Sequence, residues 1–345
     1  RYALRAMAQT TLAILAGLAA IKLLALDQSA GLTWVMAIAI AAVVLPLSIL
    51  GFYSSLLLVT GRIFVSQSLE QIWRPAILIG LLGVAHLTRG GPGTADVAMV
   101  LTAASVGAAL VLAIIAWRRE FPARAAMASA ADRGEWHAVS MSFVVMTLAQ
   151  EGLNQAGILL LGILGSNVEA AHFAAAWRYD SLLVFGLSAV GLVSGPLIAS
   201  AHRRSDRAEL ATIVRTSARF SLAFAAIAAL LLLLFGRQLL GLFGSDFKAA
   251  YPVLLILLVG SLANASTGVV GYLLSLTGNH SLAAKIMVCA LLVSIAGNVL
   301  LVPRYGAIGS AIAVATTQVL WNIALLFWAK RLTGVLSLPL APIPR

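Results

Sequence analysis

The chain alternates between long apolar runs and short polar hinges ten times from Ala8 to Trp328. A hydrocarbon core is about 30 Å thick, so a helix rising 1.5 Å per residue needs roughly 20 predominantly apolar residues to cross it. By that length the runs fall at 8–26, 33–58, 75–88, 97–117, 138–164, 169–197, 216–236, 250–276, 283–302 and 306–329. The third is short and the sixth is long. The period-2 alternation of a barrel strand is absent, so backbone polar groups must be satisfied inside helices. The pattern predicts an all-α, polytopic transmembrane helix bundle with ten visible spans.

Composition strengthens this reading, since 61% of residues are hydrophobic and only 10% charged. No water-exposed surface is built from that mixture. The net charge of +11 would suit a nucleic-acid partner only if the basic residues gathered on one soluble face. They gather instead in alternate loops. With Arg1 in the cytoplasm, Arg62, Arg74, Arg118, Arg119, Arg203, Arg204, Arg207, Lys285, Lys330 and Arg331 all fall inside, while only Arg89, Arg237, Lys248 and Arg304 fall outside. This bias follows the positive-inside rule and places both visible ends in the cytoplasm, with no nucleic-acid partner. Arginine outnumbers lysine and alanine is abundant, which points to a GC-rich bacterial genome and to the bacterial cytoplasmic (inner) membrane. Cys289, the one cysteine, lies in an apolar span and reads as packing.

The longest polar connection, 118–137, carries Pro122 and a cluster of charges and reads as a cytoplasmic inter-lobe linker. It divides a lobe of four spans, 1–117, from a lobe of six, 138–345. A repeat accounts for the imbalance. Leu56-Leu-Leu-Val-Thr60-Gly61 closes the second span, and Leu273-Leu-Ser-Leu-Thr277-Gly278 closes the eighth. The same offset carries the first span onto the seventh and lays the third and fourth over the ninth and tenth. By this register the partners of the fifth and sixth spans would precede Arg1. The whole would then be two lobes of six helices related by a pseudo-two-fold axis along the membrane normal, with the first two helices missing here and a central cavity between the lobes.

An ionisable side chain at the bilayer centre costs at least about 2.5 kcal/mol and needs a partner or a wet cavity. The fifth span holds Glu151, Asn154 and Gln155 at i, i+3 and i+4, one face of a helix, and Thr147 extends the stripe. The sixth holds Arg178 and Asp180 and runs back across the tight Gly165-Ser166-Asn167 turn, which puts Arg178 opposite Gln155 and about a turn from Glu151. Two readings stand. Arg178 paired with Glu151 or Asp180 locks two helices together. Alternatively its guanidinium, a fixed fork of donors charged at every accessible pH, receives two oxygens of an anionic substrate group, with Asn154 and Gln155 as further donors. Lys22, a turn from Asp27, either snorkels to the interface or lines the cavity mouth. His172 near the outer end of the sixth span reads as packed or interfacial.

Asn264, Asn298, Gln318 and Asn322 supply uncharged polar groups to the last three spans and read as interhelical hydrogen bonds. Gly306 and Gly309 open the tenth span with small residues that permit close helix approach. The basic loop Arg203 to Arg219 suits anionic headgroups, and Arg237 to Phe247 suits the opposite interface. No zinc-ligand spacing, Walker loop or nucleophile elbow occurs, and no outer loop is long enough for a catalytic module. Neither an enzyme nor a metal centre is expected, which leaves transport, with coupling to H⁺ or Na⁺ undetermined.

Several runs carry a family likeness: Phe173-Ala-Ala-Ala-Trp-Arg178-Tyr, Ser194-Gly-Pro196-Leu-Ile-Ala, Leu239-Leu-Gly-Leu-Phe-Gly244, Leu273 to Gly278, Asn298-Val-Leu-Leu-Val-Pro303-Arg-Tyr-Gly306, and Leu69-Glu-Gln-Ile-Trp-Arg74-Pro75. In order and spacing the chain resembles the O-antigen and polysaccharide flippases of the multidrug/oligosaccharidyl-lipid/polysaccharide exporter superfamily. The resemblance implies a two-lobed flippase of undecaprenyl-diphosphate-linked oligosaccharide working by alternating access. Its implied partners are that lipid-linked oligosaccharide, membrane lipids, a polysaccharide polymerase and a chain-length regulator. It also implies that Arg178 is a counterpart of the cavity cations that engage a diphosphate. Alternatives are a cation-coupled multidrug antiporter of the same superfamily and a membrane scaffold or glycosyltransferase of polysaccharide assembly.

Overall fold

The computed structural model describes residues 34–59, 62–89, 95–120 and 133–339. The first expected span and Lys22 therefore lie outside the described residues, as does most of the expected linker. The chain divides into two compact units, Arg1–Met127 and Ala128–Arg345.

In the first unit, α1 (Trp34–Val59) packs along α4 (Ala95–Glu120), burying Leu50, Leu57, Ala109 and Ala113. Between them the path runs through α2 (Ile63–Ser68), a π-helical turn (Leu69–Trp73) and α3 (Arg74–Arg89) without a break. The third span thus begins some ten residues before the expected 75–88, because Arg62, Arg74 and Pro75 read as hinge in the sequence. The π turn explains how they fit. Pro75 has no N–H and its ring crowds the carbonyl one turn back. The wider turn just before it, with the Arg74 N–H donating to the Leu69 carbonyl, relieves that conflict. Ser54 and Ser66 tie α1 to α2 through reciprocal hydroxyl-to-carbonyl bonds of 3.1 and 2.8 Å.

The second unit contains α5 (Arg133–Leu164), α6 (Asn167–Arg203), α7 (Arg207–Leu240), α8 (Tyr251–Thr267), α9 (Val270–Leu274) and α10 (His280–Thr333). Ser166 caps α6 by accepting from the Glu169 N–H, with Glu169 in the reciprocal position of a capping box. Asp206 caps α7 in the same manner. Two short 3₁₀ turns, Gly241–Phe243 and Ser245–Ala250, join α7 to α8, and their rings pack with those of α6: Tyr179 on Phe243, and His172 edge-on to Phe247 at 5.3 Å. The expected packing of His172 is found here.

The second copy of the repeat motif is a turn signature. α9 leads through Ser275 and Leu276 to Thr277-Gly278, where Gly278 turns at φ 85° before His280 starts the next helix. Helix α10 likewise folds back on itself at Gly306 (φ 54°, ψ −133°), a conformation open to glycine alone. Its limbs, 280–305 and 307–333, are antiparallel, for Ser310 bonds to Asn298 and a Cβ on Gly309 would meet the Leu301 carbonyl oxygen at 2.4 Å.

Among the described residues, six helical stretches are long and apolar enough to cross a membrane, the last being the folded Val270–Thr333. Their faces are those of a body dissolved in hydrocarbon. On α7 most of the buried residues are small, Ala211, Ser217, Ala218, Ser221, Ala225, Ala229 and Gly236, with Leu210, Val214, Leu232 and Leu240 buried among them. Phe220, Phe224, Ile227, Leu230, Leu234 and Phe235 stand exposed on the same helix. In lipid the large apolar side chains gain nothing by burial, and close backbone approach through small residues gives the packing.

That contrast predicts the outcome of two glycine substitutions. Gly309→Val forces a side chain into the Leu301 backbone and is expected to destabilise by about 1–3 kcal/mol. Gly162→Ala, whose Cβ meets nothing within 4 Å, is expected to be neutral or slightly stabilising. Denaturant unfolding of the purified protein in detergent separates the two.

Candidate functional site

The four consecutive residues Trp177, Arg178, Tyr179 and Asp180 leave α6 in four directions, and this sorts the expected constellation. Asp180 is fully buried and turns toward α8, where its Oδ2 accepts from the Ser261 hydroxyl at 2.8 Å. Its Oδ1 is buried without a hydrogen-bond partner among the described residues. Tyr179 turns toward α7 and donates to the Leu239 carbonyl at 2.7 Å. Trp177 stacks with Phe173 and lines a cleft against α5 and α10. Arg178 is exposed, about 17 Å along the helix from Asn167 at 1.5 Å per residue.

The expected pairing of Arg178 with Asp180 is therefore not formed. Two residues on a helix lie about 200° apart, so the carboxylate that shares the segment with the arginine is on its far side. Glu151 is not bonded to Arg178 either. No ion pair or side-chain hydrogen bond of Arg178, Glu151 or Gln155 occurs among the described residues. Glu151 and Gln155 belong to an exposed stripe of α5 with Val144, Leu148 and Leu159. Asn154, expected on the same face, is half-buried, accepts from Gln150 at 3.2 Å and lines the cleft instead. An i, i+3, i+4 set spans about 100° of arc, and the neighbouring helix takes one edge of it.

The cleft is bounded by Asn154 and Leu153 of α5, Trp177 of α6, and Ser294, Val314, Gln318 and Trp321 of α10. Two of its polar atoms, Ser294 Oγ and Gln318 Oε1, are buried with no hydrogen-bond partner among the described residues. Its cavity is about 10 Å³, room for roughly one water and for no cargo. Ser294 and Ser261 escape sequence reasoning because serine is common on membrane helices and no spacing marks it.

A second set of polar residues serves packing. Asn322 donates to Asn264 at 3.0 Å and accepts from Thr267 at 2.6 Å, joining α8 to the second limb of α10. Asn298 accepts from Ser310 across the α10 hairpin. Gly260 lets α8 close on that limb, since a Cβ there would come within 2.8 Å of Ala315 Cα. The interhelical bonds expected of Asn264, Asn298 and Asn322 are present.

Two surfaces of the second unit thus differ in kind. Inside it runs a seam of small polar contacts, with a cleft the size of a water. On its outside one face carries Arg178 and another stripe carries Glu151 and Gln155, all within helices long and apolar enough to cross a membrane and unpaired among the described residues. Only the second can meet a large ligand. An arginine this far along a helix costs at least about 2.5 kcal/mol against hydrocarbon, a cost that water or a bound anion would offset.

Residues 143–300 match the MatE family model. A curated relative, "Probable low-salt glycan biosynthesis flippase Agl15" of Haloferax volcanii, is 23% identical over 159 residues, 46% of this chain and 34% of the relative. The match thus spans about a third of that relative's length. Among solved structures, a MATE transporter of Vibrio cholerae superposes with a TM-score of 0.75 at 16% identity, covering 95% of this chain and 76% of the other. A MOP superfamily transporter of Pyrococcus furiosus, described by the reverse polarity of its binding pocket, superposes at 0.73 with 14% identity over 96% and 77%. An outward-facing multidrug resistance MATE family transporter gives 0.75 at 16% identity over the same shares.

The polar seam yields a paired prediction. Asn322→Leu removes the donor to the Asn264 side-chain oxygen and leaves the Thr267 hydroxyl only its bond within α8, and is expected to cost about 1–2 kcal/mol in detergent unfolding. Gln318→Met removes an already unsatisfied oxygen and is expected to be neutral or stabilising by the same measurement. The chain has the fold of these MATE transporter structures, and residues 143–300 match the MatE family model.

Proposed function

We propose that this chain is part of a flippase that carries lipid-linked oligosaccharide across the membrane, with Arg178 receiving the diphosphate. The observation that carries this reading is the exposed guanidinium at membrane depth without a carboxylate partner among the described residues. A fixed cation with five donors suits a phosphate bearing several acceptor oxygens, and an anionic headgroup crossing hydrocarbon needs such a counter-charge. Gln155 on the neighbouring helix would donate to sugar or phosphate oxygens. Glu151 on the same stripe of α5 as Gln155 would accept from the hydroxyls of a glycan. Asp180 belongs to the helix packing in this reading, and Asn154 to the cleft. The glycan flippase among the relatives supports the cargo class, and the Pyrococcus furiosus transporter, whose reversed pocket polarity suggests a different function, is consistent with cargo other than drugs in this fold. Alternating access between the two leaflets follows from the transporter fold. The cargo's polymerase and chain-length regulator would act downstream in the membrane.

A second reading, an antiporter of cationic drugs driven by H⁺ or Na⁺, is favoured by the multidrug transporter among the structural neighbours and by the exposed Glu151. It would place the function on the carboxylates. The two readings part on one experiment in the full-length protein. The flippase reading expects Arg178→Ala to lower surface glycan at least about tenfold, as removal of a charge-assisted bidentate pair of hydrogen bonds would, with Arg178→Lys in between. It expects Glu151→Gln to have a smaller effect. Wild-type glycan in both arginine variants, with drug resistance abolished by Glu151→Gln, would replace it by the antiporter reading.

A further inference from the structure

Three helix junctions of the second unit come together at one end: the Arg203–Arg207 turn between α6 and α7, the Thr277–Asn279 turn, and the last turn of α10 at Leu332 and Thr333. They enclose a cavity of about 200 Å³, some twenty times the cleft in the bundle. It is the end that the charge bias of the sequence assigns to the cytoplasm.

The charges around this cavity are unequally occupied. Asp206 lines the cavity as well and accepts from the Glu209 N–H at 2.9 Å through Oδ1, so its carboxylate offsets part of the positive charge there. Glu209 is paired with Arg204. Arg219 donates to the Pro339 carbonyl at 2.8 Å, and Arg331 lies over the Trp328 ring at 5.6 Å. His202 and Arg207 line the cavity, and neither side chain makes a hydrogen bond or ion pair among the described residues. The Ser205 hydroxyl is likewise unbonded there, on a residue held at φ 57°. Asn279, whose amide donates to the Thr277 carbonyl, closes the opposite wall. The start of α7, a helix of 34 residues, adds its dipole to this side.

One wall is different. Leu210 is buried beneath the cavity, and Leu332 stands half-exposed at its lip. A pocket with cationic and hydroxyl donors on one side and an apolar lip at the membrane surface suits an anion carried on an alkyl chain.

We infer that this cavity is a binding site for a net-anionic phosphate group, held by Arg207 and His202 with Ser205 and Asn279 as neutral donors. The phosphate comes either from an anionic phospholipid headgroup, its acyl chains leaving past Leu332, or from a free phosphate compound in the adjoining water. The site lies at the helix ends and is independent of the cargo reading, which rests on Arg178 at membrane depth.

The test uses the purified full chain in detergent with phosphatidylglycerol, phosphatidylcholine or inorganic phosphate as probes, read by native mass spectrometry. Wild-type protein is expected to retain phosphatidylglycerol over phosphatidylcholine. Arg207→Gln is expected to weaken that retention about tenfold, because it removes a charge-assisted hydrogen bond to the phosphate. Arg331→Gln, equal in charge change but engaged elsewhere, is expected to leave retention within about twofold of wild type. His202→Gln, a neutral replacement on an exposed residue, serves as the second variant and is expected to have a smaller effect than Arg207→Gln. Phosphatidylglycerol that resists inorganic phosphate at matched ionic strength identifies the lipid as the source. Displacement by phosphate but not by chloride identifies the soluble anion. Equal retention of both lipids, or equal weakening in the Arg207 and Arg331 variants, would overturn the site and leave only general attraction of a basic surface.

Discussion

A helix in hydrocarbon gains little by hiding leucine, so the second unit is held together by close backbone approach and by polar groups that find partners. Everything else in it follows from that constraint. Gly260, Gly306 and Gly309 bring α8 and the two limbs of α10 within reach of one another. Asn322, Thr267, Asn264, Asn298 and Ser310 then bond across the joints. The large apolar residues of α7 are left facing outward, where a water-soluble protein would have buried them. An exposed ionisable group at membrane depth is costly on such a body. Arg178 is therefore informative: it stands exposed where the carboxylate two residues on, Asp180, is buried against Ser261.

The size of the internal cleft decides where cargo can act. Asn154, Ser294 and Gln318 converge on room for about one water. A sugar cannot enter. Polar residues of the inner seam are then structural, or hydrated, and any ligand as large as a glycan must meet the outside of the unit, where Arg178 stands exposed on α6 and Glu151 and Gln155 on a separate stripe of α5. Asp180 shows the same division within a single helical turn: it is two residues from the arginine and bonded to Ser261 of α8.

Helix positions after residue 133 are legible in the sequence, since length and hydropathy suffice to place a span. The Gly165-Ser166-Asn167 and Thr277-Gly278 hinges fall where turn chemistry puts them, and Gly306 folds the chain back just after Pro303-Arg304-Tyr305, the break between the ninth and tenth runs. The third span starts earlier than hydropathy indicates because Arg74 and Pro75 read as a hinge, whereas a π-helical turn absorbs the proline. Side-chain partners are less legible. Spacing gives the arc on which Glu151, Asn154 and Gln155 lie, but the neighbour that divides the arc is a tertiary fact. The separation of Arg178 from Asp180 is implicit in a two-residue spacing on a helix. Ser261 and Ser294 carry no signal at all, because a serine on a membrane helix usually bonds its own backbone.

That the Arg178 face is wet, neither lipid-facing nor sealed, is the central claim, and accessibility at that position tests it most directly. In full-length protein with Cys289→Ala, Arg178→Cys would be challenged in intact membranes with a charged, water-borne thiol reagent, with Leu230→Cys on the exposed apolar face of α7 for comparison. A wet face predicts rapid labelling at 178, slowed by lipid-linked oligosaccharide, and none at 230. Equal protection at both positions would contradict it.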